Sequence, residues 1–239
     1  MKSEIQQRFS DAALTYDAHA ELQREVADLL VKKLHHILPS PPQSILEIGC
    51  GTGYLTRKLD ELWPTSQLVG IDLALPMVEV CRQASSSGSY VVADGEHLPF
   101  DHPFDLVSSN LCLQWFQQPS QSLHQLAHLG KRMALTTFGP ASFKEWHEVC
   151  AHYDLPIRTK KFLSVAMLSE ILGPDYLIES QLIQKSFETW LAFWHQIRKI
   201  GAHFGEETPT KTSFKNLRTA LQLKNVKVTH EIIFITSKQ

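Results

Sequence analysis

Seven consecutive residues, Glu47-Ile48-Gly49-Cys50-Gly51-Thr52-Gly53, carry the strongest chemical signal in this chain. They follow an apolar run and precede a helical pattern. Glycines at such a place let the backbone turn tightly and let a ligand approach it without interference from Cβ. The dinucleotide fingerprint requires a further glycine at position 54, where Tyr54 stands, so NAD and FAD are disfavoured. Two carboxylates fall at the ends of later apolar runs. Asp72 is suited to accept both hydroxyl hydrogens of a ribose. Asp94, in Ala93-Asp94-Gly95-Glu96, is suited to accept from an adenine amino group. Asn110 and Leu111 close another apolar run at the mouth of the same crevice. Each feature has a plainer reading alone, since a Gly-rich turn can be a tight connection and a strand-end Asp a helix cap. Their order on successive strands points to nucleoside binding.

No catalytic triad is visible. His124 and His128 share a helix face without further ligands nearby, so no metal is expected. The four cysteines, Cys50, Cys81, Cys112 and Cys150, form no Cys-x-x-Cys pair and read as free thiols in a reducing cytosol. A net charge of −2 argues against nucleic acid, and no apolar run approaches a membrane span. Between Lys185 and Lys227, however, eight basic residues face three acidic ones. That segment is either a solvated basic face or a landing site for an acidic partner.

The elements that must position these residues follow from periodicity. Ser3-Glu4-Ile5-Gln6 has the form of a capping box opening a helix. A second helix is expected from near Asp17, with Leu22, Val26, Leu30 and Leu34 on one side, ending before Pro39. Short apolar runs at 44–48, 67–72, 90–93, 104–109 and 133–138 alternate with helical stretches at 76–84 and 120–129. This is the pattern of βαβ units and a mainly parallel, doubly wound sheet. Beyond Pro140 the expectation is helices, a strand at 176–183, a helix at 188–200, a short helix and a last strand at 226–236. The whole, 1–239, reads as one domain: N-terminal helices at 1–43, a cofactor-binding core at 44–140 and a helical substrate-side insertion at 186–225. Trp190, Phe193, Trp194 and Ile197 recur at helical spacing and are assigned to packing that insertion onto the sheet.

The ordered glycine loop and acidic strand ends resemble the nucleoside-binding motifs of class I methyltransferases. More particular blocks narrow the likeness: Arg8-Phe9-Ser10-Asp11-Ala12-Ala13 with Tyr16-Asp17 and His19; Ser109-Asn110-Leu111 with Leu113-Gln114-Trp115; Thr136-Thr137-Phe138-Gly139 with Ser142-Phe143; and Lys199-Ile200-Gly201-Ala202. Together they resemble the biotin-pathway malonyl-carrier-protein O-methyltransferases over most of the chain. Departures from that pattern are the short connection His128–Arg132, Phe116 in place of a common cysteine, and a shortened 205–215 region.

The resemblance implies a Rossmann-like fold, a mainly parallel seven-stranded sheet with helices on both faces and a helical insertion before the last strand. It implies S-adenosyl-L-methionine as cofactor, with Glu47 and the loop residues Gly49, Cys50, Gly51, Thr52 and Gly53 at its methionine part. Asp72 would take the ribose and Asp94 the adenine, with Leu73, Met77, Gly95, Glu96, Asn110 and Leu111 completing the cofactor set. It further implies a cytoplasmic enzyme acting on a malonyl group borne by an acidic acyl carrier protein, which Lys185, Lys211, Lys215 and Arg218 would attract. A malonyl carboxylate, with a pKa near ~4, is already ionised and requires no general base. Arg198 is the first candidate to hold it, with Lys199 as alternative. Tyr16 is placed against cofactor or substrate, Trp115 in the pocket wall, and His203 near the substrate. Other readings are methyl transfer to another small carboxylic acid, or to a quinone-like carbon with His19 or His203 as base. A respiratory-complex assembly factor or arginine hydroxylase is the reading outside methyl transfer.

Overall fold

A computed structural model describes residues 2–85, 87–157, 159–202 and 214–238. Seven strands form one sheet in the order β3-β2-β1-β4-β5-β7-β6. They are β1 (Ser44–Ile48), β2 (Gln67–Asp72), β3 (Ser89–Val92), β4 (Phe104–Asn110), β5 (Gly130–Phe138), β6 (Tyr176–Thr189) and β7 (Lys224–Ser237). The first five pair in parallel, and β7 runs antiparallel to both its neighbours. The central strands are apolar on both faces because helices cover both. On one side Ile45, Leu106, Ile232 and Phe234 pack against α3 (Glu21–Ile37) and α4 (Tyr54–Leu62). On the other, Leu46, Ile48, Val107 and Ile233 meet α6 (Pro119–Leu129) and α8 (Val165–Leu172). The alternation along β1 and β7 sends successive side chains into different cores.

Strand order reverses at β1, where β2 lies to one side and β4 to the other, so a crevice opens beyond their carboxyl ends. The N-terminal helices lie over it. α1 (Lys2–Ala12) contains Ser3 within its first turn, so Ser3 is not the cap that the capping-box pattern implies. The single helix expected from Asp17 is two, α2 (Tyr16–His19) and α3, broken at buried Ala20 with φ −93° and ψ 39°. Tertiary contacts override the helical pattern there. Asp17 Oδ1 accepts from Thr52 Oγ1 at 2.5 Å, and Arg24 donates back to the Asp17 carbonyl. The break lets α2 dock on the glycine loop while α3 lies across the sheet.

Strand β6 runs on to Thr189, beyond the expected 183, because it pairs with β7 over almost its whole length. The helical part before β7 is therefore α9 (Trp190–Lys199), capped by Thr189 accepting from Ala192 N at 3.1 Å, and α10 (Phe214–Leu221). Trp190, Phe193 and Trp194 pack with Trp146 of α7 (Lys144–His152), and Phe193 also lines the crevice, as Ile197 does. Among the described residues no helix is long and apolar enough to cross a membrane.

Candidate active site

The crevice holds a cavity of about 450 Å³. That is room for a nucleoside-sized ligand and a small second one. One end is polar, formed by the glycine loop, Asp72 and Asp94. The other is an aromatic chamber of Phe138, Phe143, Phe187 and Phe193.

The polar end is held by backbone geometry. Gly49 and Gly51 have φ of +71° and +54°, where a side chain costs energy. A Cβ on Gly49 would lie 2.6 Å from Cys112 Sγ, whereas a Cβ on Gly51 would meet nothing within 4 Å. Gly49 is thus required by packing, and Gly51 leaves its backbone open to the cavity. Gly51 N donates to Asp72 Oδ2 at 3.0 Å, and Ala74 N to Asp72 Oδ1 at 2.9 Å. Burial raises the Asp72 pKa while these amides resist the rise. Leu73, Met77, Gly95, Asn110 and Leu111 line the cavity as well. Leu111 is held at φ 51°, its amide donating to Thr136 Oγ1 at 3.0 Å. Asn110 is fixed by Gln23 O at 2.9 Å and Thr136 Oγ1 at 2.8 Å.

Glu47, Cys50 and Thr52 border a second recess of about 40 Å³, which Tyr16, Gly49 and Gly51 also line. Gly53 has its Cβ position filled by Cys81 Sγ at 2.8 Å. Glu47 is 1% exposed and accepts from Thr56 Oγ1 at 2.6 Å. Burial pushes its pKa up to about 8. Tyr16 stands in the cavity wall, where burial and then Asp72 raise its hydroxyl pKa. Glu96 Oε1 accepts from Gln117 N at 2.9 Å and Gln118 N at 2.7 Å, so one oxygen of its carboxylate holds the turn that leads into α6.

Lys2 was not expected here. Its ammonium reaches Asp94 at 2.5 Å and Glu96 at 2.7 Å, bringing α1 over the polar end. Burial works against the Asp94 charge, but Lys2 holds its pKa below the usual carboxylate range. Trp115 lines the cavity between Phe9, edge-on at 5.3 Å, and the Lys160 ammonium, 4.7 Å above its ring.

Comparison with known proteins gives this geometry a family. A methyltransferase-domain family profile matches residues 46–135. The malonyl-[acyl-carrier protein] O-methyltransferase of Magnetococcus marinus is 35% identical over 222 residues, covering 88% of this chain and 81% of the relative. The chain belongs to the malonyl-[acyl-carrier protein] O-methyltransferase family. The family's enzyme from Pseudescherichia vulneris is 34% identical over 84% of this chain and 80% of its own length. The biotin biosynthesis bifunctional protein BioCD of Bordetella avium is 35% identical over 93% of this chain and 47% of its own. In fold, the chain matches magnesium protoporphyrin IX methyltransferase from Synechocystis, solved with bound SAH, at a TM-score of 0.63 and 15% identity over 100% and 99% of the two chains.

For a member of this O-methyltransferase family, the basic residues fall in unexpected places. Arg198 and Lys199 are exposed and outside the cavity lining. The cavity face of α9 carries Phe193, Gln196 and Ile197, and Ile200 follows it, so the two cations point elsewhere. His203 and Lys211 lie outside the described residues. Among the described residues the cation that lines the chamber is Lys185, paired with Glu21 at 2.9 Å and Glu25 at 2.7 Å. Phe138, Phe143, Phe187 and His230 also line the wall, which periodicity does not signal; Phe138 and Phe143 sit in the blocks that carry the family resemblance. Among the described residues no group of three His, Cys, Asp or Glu could hold a metal ion.

Proposed function

We propose that this chain transfers the methyl group of S-adenosylmethionine to the free carboxylate of a malonyl thioester on acyl carrier protein. The methyl ester would start pimelate synthesis for biotin, in the cytoplasm. The observation that carries the reading is the single cavity joining the polar end at Asp72 and Asp94 to the aromatic chamber. Two ligands of different chemistry can meet there without a wall between them.

The cofactor fits the residues present. The backbone at Gly51 is open to the cavity, and the Asp72 and Asp94 carboxylates face it. When bound, it supplies an electrophilic methyl group on sulfur. The chain's own contribution is placement and exclusion of water. Asp72, fixed by two backbone amides, would orient the ribose. Tyr16 and the α1–α2 cover would close the polar end, and Trp115 with the chamber phenylalanines would strip water from the incoming carboxylate. A stripped carboxylate is the better nucleophile, and no proton has to be removed from it. Gln23, Gln196 and the neutralised Lys185 line the way in, so the acid meets hydrogen-bonding groups rather than a guanidinium clamp.

The test compares methyl transfer to malonyl-carrier protein with transfer to malonyl-CoA. Faster turnover of the carrier-bound form supports the partner; equal rates would leave the carboxylate chemistry and remove the carrier. His19 also lines the cavity, which supports a second reading with an acceptor that needs a base. Loss of transfer in His19→Gln with cofactor affinity unchanged would favour it.

A further inference from the structure

His230, in β7, lines the aromatic chamber and is only 2% exposed. Phenylalanine rings surround it: Phe143 edge-on at 5.4 Å, Phe138 at 6.1 Å and Phe193 at 6.3 Å. Its Nδ1 has no hydrogen-bond partner. A polar nitrogen buried without a partner is costly and uncommon. Its neighbour Thr229 shows what the same strand does with polar groups meant only for structure. Thr229 N donates to Glu145 Oε2 at 2.9 Å, and its hydroxyl donates to Glu145 Oε1. Thr229 is satisfied within the fold, whereas the Nδ1 of His230 has no partner of good geometry.

Packing alone would be served by another phenylalanine in this ring cluster. An imidazole adds one donor and one acceptor to the wall of this chamber, where the ammonium of Lys185 is already paired with Glu21 and Glu25. Burial lowers its pKa to about 4, outweighing the Ile183 and Val228 backbone carbonyls, which the ring approaches, and Glu145, with Lys185 adding to the fall. The ring is therefore neutral at physiological pH and suited to a neutral oxygen rather than an ion pair.

We infer that His230 is a specificity-determining residue whose imidazole donates a hydrogen bond to the thioester carbonyl oxygen of the acyl substrate. The inference rests on the malonyl-thioester reading above. The carbonyl and the carboxylate of a malonyl group are separated by one methylene. Anchoring the first in the aromatic chamber points the second back toward the polar end.

The test measures kcat/KM for wild type, His230→Phe and His230→Gln on two carrier-bound acids. One is the malonyl thioester; the other is its carboxyethyl thioether analogue, in which a methylene replaces the carbonyl. His230→Phe should lose about tenfold on the thioester, the scale of one hydrogen bond, and little on the thioether. His230→Gln, which restores a donor, should recover most of the loss. Cofactor affinity by calorimetry should be unchanged throughout and reports folding; if the Phe variant does not fold, His230→Leu, which also lacks a donor, takes its place on both acids. Equal losses on both acids, or no loss on either, would overturn the role for His230. Absence of transfer to the malonyl thioester by wild type would overturn the function itself, and this inference with it.

Discussion

Gly49 and Gly51 sit two residues apart in one loop, yet alanine at each should fail differently. Both have positive φ, so each alanine carries a strain of about 1–2 kcal/mol. At Gly49 the new methyl would also lie 2.6 Å from Cys112 Sγ and 2.9 Å from Cys112 Cβ. The second of these atoms cannot rotate away, and overpacking of this kind adds about 1–3 kcal/mol. For a chain of this size Gly49→Ala should lower Tm by roughly 10 °C. At Gly51 the methyl meets no protein atom within 4 Å but protrudes into the cavity. Gly51→Ala should lower Tm by only about 3 °C while weakening S-adenosylmethionine binding at least tenfold, about 1.4 kcal/mol. Differential scanning calorimetry and titration calorimetry on the two variants read both quantities. Wild-type cofactor affinity in Gly51→Ala would refute the placement of the cofactor against this loop. A wild-type Tm in Gly49→Ala would refute the packing argument.

Glu47 supplies a pH prediction. Its folded pKa, raised to about 8 by burial, lies above its unfolded value, so between the two only the folded chain holds the proton. Stability without cofactor should therefore fall as pH rises from about 5 to 8, by an amount on the order of a few kcal/mol. Denaturant titrations should show this slope flattened in Glu47→Gln; an unchanged slope would mean that other groups produce it. Arg198→Ala should leave kcat/KM for methyl transfer within about twofold, because the side chain is exposed and away from the cavity. A large loss would return Arg198 to the substrate site.

The part of the site that sequence exposes is the part built from local segments. A strand, a glycine loop and a helix lie within one stretch, and Asp72 and Asp94 sit at strand ends whose position follows from βαβ order. The aromatic chamber is different. Phe138, Phe187 and His230 come from three strands that meet only through the antiparallel β5-β7-β6 pairing. Nothing local marks them as wall rather than core. Lys2 is separated from Asp94 by 92 positions, and no periodicity predicts that contact. The position of Arg198 outside the cavity lining has a signal in the sequence. Each helical residue turns about 100°, so once Phe193 and Ile197 face inward, Arg198 and Lys199 are carried off that face. The break at Ala20 was hidden for the opposite reason, since local pattern favoured helix and Asp17's bond to Thr52 overrode it.

The central claim is carboxyl methylation of a malonyl thioester. Its most direct test is to incubate the protein with methyl-labelled S-adenosylmethionine and either malonyl- or acetyl-acyl carrier protein, then treat each carrier with mild base. Label on the malonyl carrier alone, released by base as methanol, is the predicted result. Label on the acetyl carrier, base-stable label, or no label on the malonyl carrier would contradict it.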